Sequence, residues 1–137
     1  MLSYVGNFLI LINIFITILL IKSTFNFRSG NFSKINKIHS LSFQQTTISI
    51  ILFITLILGF LFSDFSMKVV YENSHILKPT LYKITGSWGN HEGSLLMWIT
   101  IMIIFSNAFL ILGKKLEKEF LIETIKIQNF LILGFLV

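Results

Sequence analysis

The sequence predicts an all-α integral membrane protein: three complete transmembrane helices, the start of a fourth, and an ordered outer loop between helices two and three. Three observations carry this. The 137 residues are 54% hydrophobic, with a mean hydropathy of +0.82. Only 12% are charged, against about 25% in a soluble domain. The apolar residues form long runs, and the charges sit in the segments between them.

The first helix is expected over about 5–21, where Asn7 and Asn13 are the strongly polar members. At about 1.5 Å per residue it reaches roughly 25 Å, enough for the hydrocarbon core. The two asparagines are expected to face a partner helix or the interface rather than lipid. No basic residue precedes the run and no small-residue cleavage site follows it, which argues against a cleaved signal peptide. The second helix is expected over about 46–62. It is rich in Ile, Leu and Phe, and its β-branched content would suit strands in water, but its length and lack of alternation favour a membrane helix. The third spans about 94–112, with Gly113 as its stop and Lys114 and Lys115 where cations suit a helix C-terminus. From Gly113 to about Gln128 the chain reads as a short amphipathic surface helix, with Leu116, Phe120 and Ile127 at helical spacing. A fourth run opens at about 130 and is truncated at Val137. The chain, 1–137, is therefore expected to be the N-terminal part of a multi-span membrane domain, as a fragment or one piece of a split protein.

Charge sets the expected orientation. The first loop, about 22–45, carries Lys22, Arg28, Lys34 and Lys37 and no acid. The third mixes Lys114, Lys115, Lys118 and Lys126 with Glu117, Glu119 and Glu123. The outer loop, about 63–93, balances Lys68, Lys78 and Lys83 against Asp64, Glu72 and Glu92. Positive-inside logic puts loops one and three in the cytoplasm or matrix. The N-terminus and loop 63–93 then face the periplasm or intermembrane space. The net charge of +5 is read as topology-setting. Membrane lipid is an expected partner and nucleic acid is not. Without cysteine the chain offers no thiol–disulfide chemistry and no cysteine metal site. Within the outer loop, Lys68 to Tyr71 reads as a short extended stretch.

The outer loop ends in the most informative residues. Gly86, Gly89 and Gly93 fall within eight positions, flanked by Trp88 and Trp98 around a His91–Glu92 pair. Glycines there allow close backbone approach or positive φ. A zinc-protease reading of His91–Glu92 fails, because the second histidine it needs would stand at position 95, which is leucine. Glu92 beside a helix N-terminus is stabilised by the helix dipole whatever the function. If the helix begins near Trp88, then Trp88, His91, Leu95 and Trp98 share a face. That stripe suits a porphyrin-sized groove at the membrane edge, but spacing alone favours a tight helix contact with a satisfied histidine. Trp88 also suits an interfacial belt, and Trp98 suits packing. His39 and His75 are expected to be solvated. No catalytic residue and no metal ligand can be assigned.

Trp88-Gly89-Asn90-His91-Glu92-Gly93-Ser94-Leu95-Leu96-Met97-Trp98 resembles, without a gap, the Trp-Gly-x-His-Glu-Gly-Ser-Leu-Leu-x-Trp signature of the CcmF/NrfE family of cytochrome c-type biogenesis proteins. Ser63-Asp64-Phe65-Ser66, Val70-Tyr71 and Asn73-Ser74 are similar to the family's loop upstream of it. So are Pro79, Tyr82 and Lys83 to its approach to the signature, and Gly6-Asn7-Phe8 to the start of its first helix. The resemblance implies the N-terminal fragment of a membrane haem lyase component. It would assist transfer of haem from the carrier CcmE to apocytochrome c, at the outer face of a bacterial or mitochondrial inner membrane. The implied partners are the remaining part of the same protein, CcmE, CcmH-like maturation subunits and apocytochrome c. Haem is implied as cofactor of the full assembly, with its ligands expected outside this fragment. Trp88, Gly89, His91, Glu92, Gly93, Ser94 and Trp98 are implied to shape an outer vestibule where haem and partners meet. The competing class is a small structural multi-span subunit of a respiratory or transport complex. Such a subunit has no need of Gly-x-His-Glu-Gly at a membrane edge, and a Trp-rich outer loop encoded past Val137 would discriminate the two.

Overall fold

The computed structural model describes residues 2–25, 27 and 32–137, without the side chains of Phe32, Ser33 and Lys114. Arg28 of the first basic loop therefore lies outside the described residues. The elements are α1 (Leu2–Phe25), α2 (Phe32–Leu61), α3 (Lys68–Asn73), α4 (Thr80–Gly86), α5 (His91–Leu112), a 3-10 turn (Gly113–Lys115) and α6 (Lys118–Leu136). Among the described residues three helices are long and apolar enough to cross a membrane: Leu2–Phe25, Lys34–Leu61 and His91–Leu112.

The long helices form a ring in which α1 packs on α2 and α6, and α5 packs on the same two. The Leu2 backbone N–H donates to Asp64 Oδ2 at 3.1 Å, tying the start of α1 to the end of α2. Gly6, Leu56, Gly93 and Leu136 border one cavity, so the adjacent ends of all four helices gather there. We call this the loop end, because the 62–90 connection lies over it. There Leu56, Phe60 and Val70 form a small core with Met67 and Leu96. The larger core lies toward the opposite end and joins Ile16, Leu20, Ile38, Leu110, Ile122 and Ile125.

The elements run further than the apolar runs predict. α2 begins at Phe32 and carries Gln44, Gln45, Thr46 and Thr47 inside the helix. Ile38, Leu41, Ser42 and Gln45 lie on one buried face. Gln45 is held by neighbouring helices: its Nε2 donates to Thr17 Oγ1 at 2.8 Å and to Asn129 Oδ1 at 3.0 Å. A polar residue that finds such partners need not mark the end of a membrane helix. Asn13 is fully buried against partner helices, as expected, whereas Asn7 is exposed within this chain.

Two expectations are corrected. The stretch Lys68 to Tyr71 is helical, not extended: it opens α3, and Val70 is buried against Phe60. Its β-branched pair packs one side of a short helix onto the end of α2. The surface helix and the fourth run are one continuous helix, α6, whose buried residues are Leu121, Ile122, Ile125, Asn129 and Ile132. Leu116, Phe120 and Ile127, the expected apolar stripe, are exposed. The packed face is the one that meets α1 and α5.

Ser63 ends α2 at φ 52. Its N–H donates to Phe60 O at 3.2 Å and the Asp64 N–H to Gly59 O at 2.9 Å, a Schellman arrangement with serine in the left-handed position. The connection it opens is ordered. Lys83 Nζ donates to Ser63 Oγ at 2.7 Å, and Lys78 Nζ donates to Asn73 O at 3.0 Å.

Candidate functional site

The Gly86–Trp98 stretch forms the junction of α4 and α5. The helix α5 starts at His91 rather than near Trp88. Asn90 stops it from starting earlier, because its backbone is extended (φ −120, ψ 169) and its Oδ1 accepts from the Gly93 N–H at 2.7 Å. That is an N-cap bond. The Nδ2 of the same side chain donates to Gly86 O at 2.8 Å. Asn90 thus ties the last carbonyl of α4 to the first turn of α5. Ser87 is fully buried, and its Oγ donates to Ile84 O at 2.7 Å.

Gly93 is held by steric necessity. A Cβ there would land on the Ser87 carbonyl oxygen and lie 2.9 Å from the carbonyl carbon. The backbone of the turn passes directly over the first turn of α5, and any side chain would push them apart. Gly89 is also tight, since its Cβ would meet Thr85 O at 3.1 Å. Close approach, not positive φ, is what these glycines supply.

The other signature residues divide by exposure. Trp88 is half-buried in the turn ahead of the helix, so it does not extend the face of His91, Leu95 and Trp98. His91 and Glu92 are exposed in the first turn of α5, where the helix dipole favours the Glu92 carboxylate. Ser94 Oγ donates to His91 O at 3.0 Å. Trp98 is 62% exposed on the outward face of α5.

Beside this turn lies an open cavity of about 430 Å³ at the loop end. Glu92, Asn7, Ser66 and Lys68 supply polar groups, and Ile10 and Leu52 are among its apolar lining. Of the signature residues, Glu92, Gly93, Leu95 and Leu96 line it, whereas Trp88, His91 and Trp98 do not. Next to Ser66 stands Asp64. Hydrogen bonds from the Ser66 side chain, and from the Leu2 and Ser66 backbones, lower its carboxyl from 3.8 to about 2.

Among the described residues no group of three or more His, Cys, Asp or Glu side chains is arranged to hold a metal ion. His75 is exposed, with Nδ1 accepting from the Leu77 N–H at 3.3 Å. His39 is half-buried beside Leu110 and Leu121, away from the loop end. The cavity has no histidine in its lining. No haem-ligating role is assigned to these residues. Asn90 is the site residue that sequence reading passed over. Its signal was present: an asparagine before an acidic first turn and an apolar run is a helix start.

No family model matches the chain. It is similar to cytochrome c-type biogenesis protein ccl1 of Rhodobacter capsulatus, at 46% identity over 87 residues, covering 64% of this chain and 13% of that protein. It is similar to CycK of Rhizobium meliloti at 43% over 83 residues, covering 61% and 12%. Similarity to CcmF of Haemophilus influenzae is 27% over 136 residues, covering 98% of this chain and 21% of the relative. The chain thus spans a small part of the length of these relatives. A solved structure of the cytochrome c haem lyase CcmF superposes with a TM-score of 0.88 at 18% identity, covering 99% of this chain and 23% of that one. At that identity the likeness establishes the fold.

Proposed function

We propose that this chain, which corresponds to the N-terminal portion of the CcmF/NrfE family, is the part of a membrane haem lyase that builds the rim on which its partners dock. The observation that carries the reading is the division of labour within the signature. Asn90 and Gly93 knit α4 to α5. That fixed turn holds His91 and Glu92 outward at the helix start, beside a cavity with polar groups and an apolar lining. A rigid turn presenting an imidazole and a carboxylate suits recognition of a polar partner surface better than burial does.

In this reading the haem carrier, a CcmE-type protein, and apocytochrome c approach the loop end, with CcmH-like subunits in the same assembly. Haem attachment is the work of the whole protein, with ligands in other parts of it. This chain's residues position and receive. The bundle sits in a bacterial or mitochondrial inner membrane, with the loop end on the periplasmic or intermembrane-space side.

The test separates docking from folding in the full protein. His91→Ala and Trp88→Ala are expected to lower holocytochrome c yield several-fold while protein level stays near normal. Gly93→Leu is expected to lower protein level itself. If His91→Ala lowers protein level as far as Gly93→Leu, the whole motif is a structural staple and the docking role is wrong. If His91→Ala changes neither yield nor level, the histidine is merely interfacial and the reading is equally lost.

A further inference from the structure

Halfway along α1, Asn13 is fully buried, and neither its Oδ1 nor its Nδ2 has a hydrogen-bond partner among the described residues. Gln45 on α2 is also fully buried, and its Oε1 is likewise without a partner. Thr17 links the two residues, through the Gln45 side chain and the Asn13 backbone carbonyl. Gln45 Nε2 donates to Thr17 Oγ1 at 2.8 Å, and Thr17 Oγ1 donates to Asn13 O at 2.8 Å. Gln45 Nε2 also reaches Asn129 Oδ1 at 3.0 Å, and Asn129 Nδ2 is spent on Ile125 O at 2.9 Å. Among the side chains of Asn13 and Gln45, three buried polar atoms, one donor and two acceptors, are therefore left without a partner at mid-depth of the bundle.

Buried polar groups in native proteins are almost always hydrogen-bonded, and low dielectric makes the exceptions costly. Asn13 has no exposed surface, so a partner outside this chain cannot reach it by simple docking. A cation would satisfy the oxygens but face the Nδ2 donor, and an anion would do the reverse. The buried polar side chains among the described residues are all uncharged, so no side-chain charge offsets an ion. Water both donates and accepts, and matches the unpaired set. We propose that α1 and α2 enclose an internal water site against Asn13 and Gln45, completing a polar network that joins α1, α2 and α6 in the middle of the bundle.

Water-edited solid-state NMR on the full-length protein in lipid bilayers tests this. With asparagine and glutamine labelled in the side chain, the Asn13 amide is identified by its loss in Asn13→Ser. The proposal expects magnetisation to pass from water to that amide as fast as to exposed loop side chains. Build-up far slower than at those loop side chains would overturn it. Thermal unfolding of the same protein gives a second reading. Asn13→Leu should lower the midpoint by several degrees, because it displaces water and leaves Gln45 Oε1 unpaired. A raised midpoint would mean that Asn13 sits dry, and would also overturn the proposal.

Discussion

At the scale of single residues, the α4–α5 junction rests on one amide with two bonds. Asn90→Ala removes both the N-cap and the partner of Gly86 O, and a lost N-cap alone costs about 1 kcal/mol. Asn90→Asp keeps the acceptor for the Gly93 N–H but loses the donor to Gly86 O, so it should fall between wild type and alanine. Gly93→Ala should be worse than either, since its Cβ meets main chain that no rotamer change can move. Unfolding midpoints of the full protein in detergent would rank the series, and a Gly93→Ala variant as stable as wild type would refute the steric account. Asp64 makes a pH prediction. Its carboxyl lies at about 2 against a usual 3.8, chiefly through the Ser66 side chain and the Leu2 N–H. A lowered carboxyl contributes stability that is present above 3.8 and is lost as pH falls through about 2. Protection of the Leu2 amide from hydrogen exchange should therefore weaken across that window, and Asp64→Asn should flatten the dependence. The sequence pointed to Gly93 because glycine beside a helix start has few other uses. It hid Asn90 because the apolar run sets the expected helix start at about 94, where position 90 has no capping role, whereas the helix begins at His91.

At the scale of elements, α6 shows what periodicity alone can miss. Leu116, Phe120 and Ile127 are large and regularly spaced, yet they are exposed, and the packed face is Leu121, Ile122, Ile125, Asn129 and Ile132. Both faces are apolar, and the partner rather than the period decides which one is buried. The packed face carries the polar Asn129, whose bond from Gln45 appears only when the bundle closes. For the same reason the start of α2 was unreadable: Gln45 looks like a loop residue until Thr17 and Asn129 stand beside it. The three apolar spans needed no such partner and were legible. A paired substitution separates the faces. Ile125→Ala opens a cavity at a position with no exposure and should cost roughly 2–5 kcal/mol. Ile127→Ala, at 61% exposure, should cost far less. Equal losses in unfolding midpoint would mean that α6 packs through the stripe the sequence suggested.

At the scale of the whole molecule, the ring topology brings the charge pattern into register with the membrane. Following the chain from the loop end, α1 delivers Lys22 to the opposite end, α2 leaves from there with Lys34 and Lys37, and α5 returns to it before Lys115 and Lys118. The basic segments separated in sequence thus share one end, whereas the loop end carries Lys68, Lys78 and Lys83 against Asp64, Glu72 and Glu92. Lys68 pairs there with Glu72 at 3.6 Å. An excess of basic residues near span ends marks the cytoplasmic or matrix side, and this is the ground on which the loop end is proposed to face the opposite side. Cysteine is absent from the chain, so single labels can be placed without background from it. Leu77, at 85% exposure, tips the loop end, and Glu117 is exposed between α5 and α6. In intact cells or mitoplasts, Leu77→Cys should react with an impermeant maleimide, and Glu117→Cys should react only after the membrane is opened. Labelling of Glu117→Cys before permeabilisation, with Leu77→Cys protected, would invert the topology. It would also remove the rim from the compartment where apocytochrome c is proposed to dock, so the orientation and the functional proposal stand or fall on the same pair of labels.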